Sequence, residues 1–337
     1  MSLSIVAGYG SKLHALTSVN EPPREHIPGR RRRLVVLLTL AAVIGLAAAA
    51  AVAVSARDDG SQPAVAAASC RALSGRPPLA LDLPGAALPA QDQQDNDAVL
   101  RAAERRLPAG DVRISVGRLV NAYGSAGAAA TLRGLQRLDQ SQPVVPLHEG
   151  LVQLWAGDCT AAERTLQRVR TQDLYGYYGT VADNTLHTDQ RPGLPIYIPP
   201  DGTPHGTVEQ LRARVRKHPD DGPAWLGLAY GDEAAGDRRA ALAAAQMARA
   251  VDPTAVSPRV AVAVIGYDKA DPTASFAVLG PLTAQASDPT EVLFHLGLLL
   301  YWRKQDTDAA AQWRQVVAES PNSIYGRIAA QLMRQIS

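Results

Sequence analysis

The chain has 337 residues, of which 46% are hydrophobic, 20% charged and 5% aromatic, and its formal net charge is +2 at pH 7. The positive balance comes from the first 33 residues, so the rest of the chain lacks the basic clustering that nucleic-acid-binding domains carry. We therefore expect no nucleic-acid partner. A core rich in Ala, Leu and Val favours close-packed helices over strands.

An uninterrupted apolar run, residues 34–54, stands directly behind the cluster Arg30 to Arg33. As a helix it would span roughly 32 Å, which matches the hydrocarbon core of a bilayer. The run therefore predicts one N-terminal transmembrane helix that contacts the lipid bilayer. Because Arg and Lys collect in residues 1–33, we expect a cytoplasmic basic tail, a single pass through the cell membrane, and a large domain outside the cytoplasm.

Two alternatives to a retained anchor remain open. The small residues Val54, Ser55 and Ala56 resemble a signal-peptidase site, and Arg31 to Arg33 resemble a twin-arginine export signal. A cleaved signal usually has an apolar stretch of only about 7–15 residues, which favours the anchor. Both interpretations export the domain.

Small residues also recur at every fourth position of the apolar run. Ala41, Gly45 and Ala49 have the spacing at which membrane helices pack closely, so this face is a candidate homodimer contact. In a segment this rich in alanine the same ladder arises by chance.

Residues 55–96 are rich in Pro, Ala, Gly and Ser and show no helical or strand period. We interpret them as an extended linker that holds the domain away from the membrane. The chain has two cysteines, Cys70 in this linker and Cys159 in the domain. An oxidising compartment permits a disulfide between them, and the alternative is a buried Cys159 with an unpaired Cys70.

Residues 97–337 are helical nearly throughout, and their pattern repeats. A first unit carries large and small residues at regular positions: Trp225, Leu228, Ala229, Gly236, Ala241, Ala245, Ala248 and Pro253. A second unit carries Leu293, Leu296, Gly297, Ala309, Trp313, Val316 and Pro321, with Lys304 where a turn glycine is expected. The spacing resembles the tetratricopeptide repeat of about 34 residues. The resemblance implies an all-α fold, a solenoid of α-hairpins behind the N-terminal transmembrane helix.

Weaker units surround these two, and one segment breaks the register. Leu211 and Val215 look like the second helix of a unit whose first helix is displaced or absent. Residues 173–206 contain several glycines and prolines and four of the ten tyrosines. They predict an irregular insertion, either a packed cap or a contact surface.

Catalytic chemistry is not indicated. No metal-ligand spacing, nucleophile elbow or phosphate loop occurs in the sequence, so we expect no metal, no cofactor and no enzyme.

The resemblance instead implies a scaffold whose concave face, lined by the first helix of each repeat, binds a protein or peptide partner, and we expect a role in cell-envelope assembly. Its usual groove positions correspond here to Leu226, Tyr230, Glu233, Phe294, Leu298 and Tyr301, with Glu233 selecting a basic group. The alternatives are an envelope enzyme that uses the Tyr-rich insertion and an exported structural spacer.

Overall fold

The computed structural model of the chain describes residues 73–84 and 95–336. Four predictions lie outside these residues: the basic tail 1–33, the transmembrane helix 34–54, the homodimer positions Ala41, Gly45 and Ala49, and Cys70. Among the described residues no helix is both long and apolar enough to cross a bilayer.

The described residues form fourteen α-helices and no strand, which confirms the all-α prediction for this part of the chain. In chain order the helices are α1 Asn96–Arg106, α2 Val112–Asn121, α3 Tyr123–Leu135, α4 Val144–Trp155, α5 Cys159–Gln172, α6 Tyr177–Leu186, α7 Val208–Lys217, α8 Gly222–Ala234, α9 Arg238–Val251, α10 Val256–Ile265, α11 Thr273–Gln285, α12 Thr290–Trp302, α13 Asp306–Glu319 and α14 Ile324–Ile336.

Except for α6 and α7, consecutive helices pack against each other, and the first helices of neighbouring hairpins also touch. These first helices are α2, α4 and α6 in one run and α8, α10, α12 and α14 in another. Helices α8, α10, α12 and α14 begin at residues 222, 256, 290 and 324, an interval that matches a repeat of about 34 residues. The solenoid register predicted around Trp225 therefore extends to the end of the chain.

Short polar caps and small residues explain why the hairpins form where they do. The side chains of Asp158, Asp221 and Asp237 each accept a hydrogen bond from a backbone N–H in the first turn of α5, α8 and α9. The inner face of α9 is almost entirely alanine, and Ala241 and Ala245 are fully buried. Without larger side chains in between, the neighbouring backbones approach closely.

The apolar core consists of two clusters. One contains Leu79, Ala80, Leu81 and Leu83 with side chains from α1 to α6, and the other contains Tyr197 and side chains from α7 to α12. Each cluster therefore includes an extended segment that precedes or interrupts the helices.

Two boundaries differ from the sequence-based expectations. Residues 73–84 were predicted to belong to an extended linker, but Leu79, Ala80, Leu81 and Leu83 of this segment are packed into the core, with Leu79 0% and Leu81 4% exposed. Residues 177–186, predicted to be irregular, form α6. Helix α6 can start tightly after its turn because residue 179 is glycine, and a Cβ there would lie 1.8 Å from the Asp173 carbonyl oxygen.

The turn between α12 and α13 confirms that Lys304 stands where a glycine is expected. Gly157 and Gly236 close the corresponding turns with φ of 86° and 84°, and Lys304 has φ of 57°. A side chain in this left-handed region costs roughly 1–2 kcal/mol. The Lys304 ammonium offsets part of this cost by donating a 2.6 Å hydrogen bond to the Thr188 carbonyl oxygen.

We expect Lys304→Gly to be more stable than Lys304→Ala by about 1 kcal/mol, because both variants lose the ammonium and only glycine removes the backbone strain. Urea unfolding of the two purified variants measures the difference. Equal midpoints would show that the turn carries no strain.

Candidate functional site: two grooves filled by segments of the same chain

Two extended segments lie across the inner faces of the first helices. Strap 1 is residues 73–84 and lies on α4 and α6, in a groove that we call groove 1. Strap 2 is residues 191–202 and lies on α8, α12 and α14, in groove 2. Neither strap forms a helix or strand, and hydrogen bonds from the surrounding helices satisfy much of each backbone.

Strap 2 enters groove 2 through Arg191. Its backbone N–H donates to the Trp302 carbonyl oxygen at 2.8 Å. Its guanidinium donates to the Tyr301 carbonyl oxygen at 2.8 Å and to both carboxylate oxygens of Asp306 at 2.7 and 2.8 Å. The same guanidinium lies 3.9 Å from the centre of the Tyr301 ring. Ionic and cation–π contacts therefore hold the start of the strap at the end of α12.

Farther along, the groove contacts the main chain of strap 2 from both sides. The Arg238 guanidinium donates to the Pro195 carbonyl oxygen at 3.0 Å, and the Glu233 carboxylate accepts from the Tyr197 N–H at 2.9 Å. These two charged side chains also pair with each other at 2.6 Å, with 9% and 5% of their side chains exposed. A buried ion pair thus satisfies two backbone groups of the strap.

The next backbone group of strap 2 donates to a histidine. The Ile198 N–H lies 3.0 Å from His295 Nε2, and His295 Nδ1 lies 2.9 Å from the Glu291 carbonyl oxygen. The Tyr325 hydroxyl donates to the Ile198 carbonyl oxygen at 3.1 Å. Both backbone groups of Ile198 are therefore bound by groove side chains.

Strap 1 is held in the same way. The Leu73 N–H donates to the Trp155 carbonyl oxygen at 3.1 Å, and the Ala80 N–H donates to His148 Nε2 at 3.1 Å. Between them, the amide of Asn96 donates to the Pro77 carbonyl oxygen and accepts from the Leu79 N–H, both at 2.9 Å. The Asn96 amide thus binds one carbonyl oxygen and one N–H group of strap 1, as the ion pair Glu233–Arg238 does for strap 2.

The two arrangements correspond residue by residue. On the helices, Trp155, His148 and Tyr178 of groove 1 correspond to Trp302, His295 and Tyr325 of groove 2. The same number of residues separates the two members of each pair. In the straps, Leu73, Pro77, Leu79 and Ala80 correspond to Arg191, Pro195, Tyr197 and Ile198, again with one constant separation in the sequence. The chain therefore contains the same strap-and-groove unit twice.

Both histidines are neutral, with the proton on Nδ1, because Nε2 accepts a backbone N–H and Nδ1 faces a carbonyl oxygen. His148 and His295 are both 0% exposed, and burial lowers the pKa of each to about 4. Each imidazole is a fixed acceptor for one strap N–H.

Glu291 is a titratable residue of groove 2 at a position that is not titratable in groove 1. Its carboxyl accepts from the Ser257 hydroxyl at 2.5 Å and from the Tyr197 hydroxyl at 3.3 Å. Burial raises its pKa to about 7. The corresponding residue of groove 1 is Val144.

The six residues predicted to bind a partner all lie on α8 and α12, two of the three helices that form groove 2. Four are buried, with Phe294 0%, Leu226 5%, Leu298 6% and Tyr301 6% exposed. Tyr230 is partly buried. Partner binding by these residues stays a prediction, and in this structure other parts of the same chain bury all four side chains.

The role expected of Glu233 needs correction. It was predicted to select a basic group of a partner at the rim of the groove. Its carboxylate instead pairs with Arg238 of the same chain and accepts the Tyr197 N–H. The sequence could not show this, because the strap residue is brought in from outside the repeat.

Cys159, the first residue of α5, is disulfide-bonded. The other cysteine, Cys70, lies outside the described residues, and the pairing Cys70–Cys159 stays a prediction. Asp306, the first residue of α13, occupies the position equivalent to Cys159, and its carboxylate forms an ion pair with Arg191 of strap 2.

Sequence reasoning missed the two histidines and the two straps. A signal existed, since Leu147-His148 and Phe294-His295 stand at the same place in their repeats, as do Trp155 and Trp302. Aligning the chain with itself would have exposed these pairs. Within residues 73–84 and 95–336 no cluster of three or more His, Cys, Asp or Glu side chains could hold a metal ion.

Comparison with known proteins found one family match and one similar solved structure. Residues 291–323, which cover most of α12 and α13, match the tetratricopeptide repeat family. A solved structure, the C-terminal part of a TPR repeat-containing protein from Cytophaga hutchinsonii, is similar at 13% sequence identity, over 70% of this chain and 95% of that chain, with a TM-score of 0.24. No curated protein matches the chain.

The hairpin α12–α13 is therefore a tetratricopeptide repeat, within an all-helical fold of similar hairpins. Repeats of this family point to protein–protein interaction as the class of function.

Proposed function

We propose that this chain is a membrane-anchored, extracytoplasmic scaffold, active in cell-envelope assembly, that binds an extended segment of a partner protein in groove 2. The supporting observation is that groove 2 already holds an extended segment, strap 2, through its main chain. Four groove side chains contact backbone groups of Pro195, Tyr197 and Ile198. A partner segment in the same conformation would satisfy the same donors and acceptors once strap 2 moves away.

Arg191→Ala tests this function because it removes the side-chain contacts that hold the start of strap 2. We expect chemical crosslinking in intact membranes, followed by recovery of the full chain, to yield more of the bound partner from Arg191→Ala than from wild type. Arg239→Ala is the matched control, since it removes an exposed arginine of α9. Equal recovery from all three proteins would place partner binding outside groove 2.

The location is tested separately, through the two cysteines. The arginine cluster predicts that both lie outside the cytoplasm. After reduction of intact cells whose outer wall has been removed, we expect a membrane-impermeant maleimide to label the chain, and alanine variants of Cys70 and Cys159 to lose that label. Labelling only after lysis would reverse the orientation.

A structural spacer is the second candidate, and the filled grooves favour it. If the straps stay bound permanently, neither groove is available to a partner. The chain would then be a spacer, and no partner would be recovered from either arginine variant. An enzyme built on the Tyr-rich insertion has less support. Tyr197 is fully buried, and His295 Nε2, which a general base would need free, is held by the Ile198 N–H.

A further inference from the structure

We infer that the two grooves bind one class of peptide, an extended segment with the pattern Gly-x-Pro-x-apolar-apolar, and that a partner binds by presenting this pattern. The inference rests on the proposed function and names the chemistry of its ligand. Both straps carry the pattern, strap 1 at residues 75–80 and strap 2 at residues 193–198.

The glycine and the proline of the pattern have a conformational reason. Gly75 and Gly193 have φ of 84° and 77°, a region that favours glycine over residues with a side chain. Pro77 and Pro195 lack a backbone N–H and present only a carbonyl oxygen, which Asn96 binds in groove 1 and Arg238 in groove 2. The two residues therefore bend the chain into the groove and offer an acceptor there.

The two apolar positions are buried and bound through their N–H groups. Leu79 and Tyr197 are 0% exposed, and Ala80 and Ile198 are 5% and 2% exposed. Each of these four N–H groups donates to a groove side chain. The apolar side chains differ in size, from alanine to tyrosine, whereas the backbone contacts are the same.

Two different sets of groove residues hold the same backbone groups. In groove 1 the neutral amide of Asn96 binds the carbonyl oxygen of Pro77 and the N–H of Leu79, and in groove 2 the ion pair Glu233–Arg238 binds the matching groups. Different chemistry that satisfies identical backbone positions indicates that the extended backbone is what each groove recognises. Each groove should therefore accept the strap of the other.

The test removes the resident strap and adds it back as a separate peptide. In the full chain, residues 193–201 are replaced by a Gly-Ser segment of the same length, and fluorescent peptides of residues 191–202 and 73–84 are added. We expect both peptides to bind the variant saturably below about 100 μM, within roughly tenfold of each other, and not to bind wild type. In wild type the tethered strap competes at an effective concentration of about millimolar.

Two controls isolate the backbone contact. Methylating the backbone nitrogen of Ile198 in the peptide removes the hydrogen bond to His295, and we expect binding to weaken at least about tenfold. In the receptor, His295→Phe should weaken the unmodified peptide to a similar extent, whereas His295→Gln, which keeps an acceptor, should retain binding.

Each outcome decides the inference. A folded variant that binds neither peptide, or binds 191–202 but not 73–84, would overturn it. If the variant is unfolded by circular dichroism, recovery of helicity on adding peptide supports the inference, and no recovery would show that strap 2 is an ordinary core element. Peptide binding without partner recovery would contradict the proposed function alone, and partner recovery without peptide binding would contradict this inference alone.

Discussion

Replacing Gly297 with alanine is expected to lower the free energy of unfolding by about 2–3 kcal/mol, although alanine favours helices. A Cβ at this position would lie 2.4 Å from Nε1 and 2.7 Å from Cδ1 of Trp313. That indole is fully buried and donates to the Phe294 carbonyl oxygen at 3.1 Å, so it cannot move without losing a buried hydrogen bond. Helices α12 and α13 would have to separate.

Two other helical glycines make a matched series with Gly297. At Gly150, the counterpart of Gly297, a Cβ would lie 2.8 Å from Cγ and Cδ2 of Leu166, a smaller side chain than Trp313 and one with no hydrogen bond to lose. At Gly231 the nearest atom would be Val208 Cγ2 at 3.4 Å, an ordinary contact. Gly150→Ala should therefore cost about 1 kcal/mol, and Gly231→Ala should add about 0.5–1 kcal/mol of stability.

Denaturant midpoints of the three purified variants measure this order. The larger change Gly297→Leu should lower stability further. If Gly297→Ala were as stable as Gly231→Ala, the close contact between α12 and α13 would be wrong, and with it the register of the second repeat.

Stability is expected to fall steeply as the pH drops from about 6.5 to about 4, because of His148 and His295. The ordinary histidine pKa of 6.5 is lowered to about 4 in both. Between these values the unfolded chain takes up protons that the folded chain does not bind, so each histidine removes up to about 1.4 kcal/mol per pH unit. Above pH 6.5 this contribution to stability is fully present.

The double variant His148→Gln with His295→Gln should flatten this acid slope, because glutamine accepts the strap N–H and does not titrate in this range. Urea titrations between pH 4 and pH 8 supply the comparison. Curves that run parallel for wild type and variant would mean that the histidines are not held neutral by the straps.

Glu291 acts in the opposite sense. Because its pKa is raised to about 7, its contribution to stability is present below its ordinary pKa of 4.5 and is lost as the pH rises through 7. Glu291→Gln should therefore make the acid slope of the whole protein steeper between about pH 4.5 and 7.

The helical hairpins could be predicted from the sequence because each depends on residues close together in the chain. The small residues Ala241 and Gly297 mark helix contacts, and Lys304 marks an unusual turn, and the structure places all three as expected. These signals repeat at a fixed interval, which makes them readable without a structure.

The grooves could not be predicted in the same way. Straps 1 and 2 have no hydrophobic period, and backbone N–H and C=O groups, which every non-proline residue carries, provide most of their polar contacts. Proline and glycine in residues 192–202 correctly excluded a helix, but nothing local indicates which surface such a segment covers. Hence the sequence places Phe294 and Tyr301 at partner-binding groove positions, although both side chains are buried and Tyr301 stacks against Arg191 of strap 2.

The position of strap 2 in the chain also sets the order in which the protein can fold during synthesis. Ile198 meets His295 and Tyr325, which follow it by 97 and 127 residues. Ala80 meets His148 after only 68 residues. The first groove can therefore close on its strap while the ribosome is still making the second half. Strap 2 must wait, with its apolar residues exposed, until nearly the last helix emerges, and such late long-range contacts slow folding and favour misassembly.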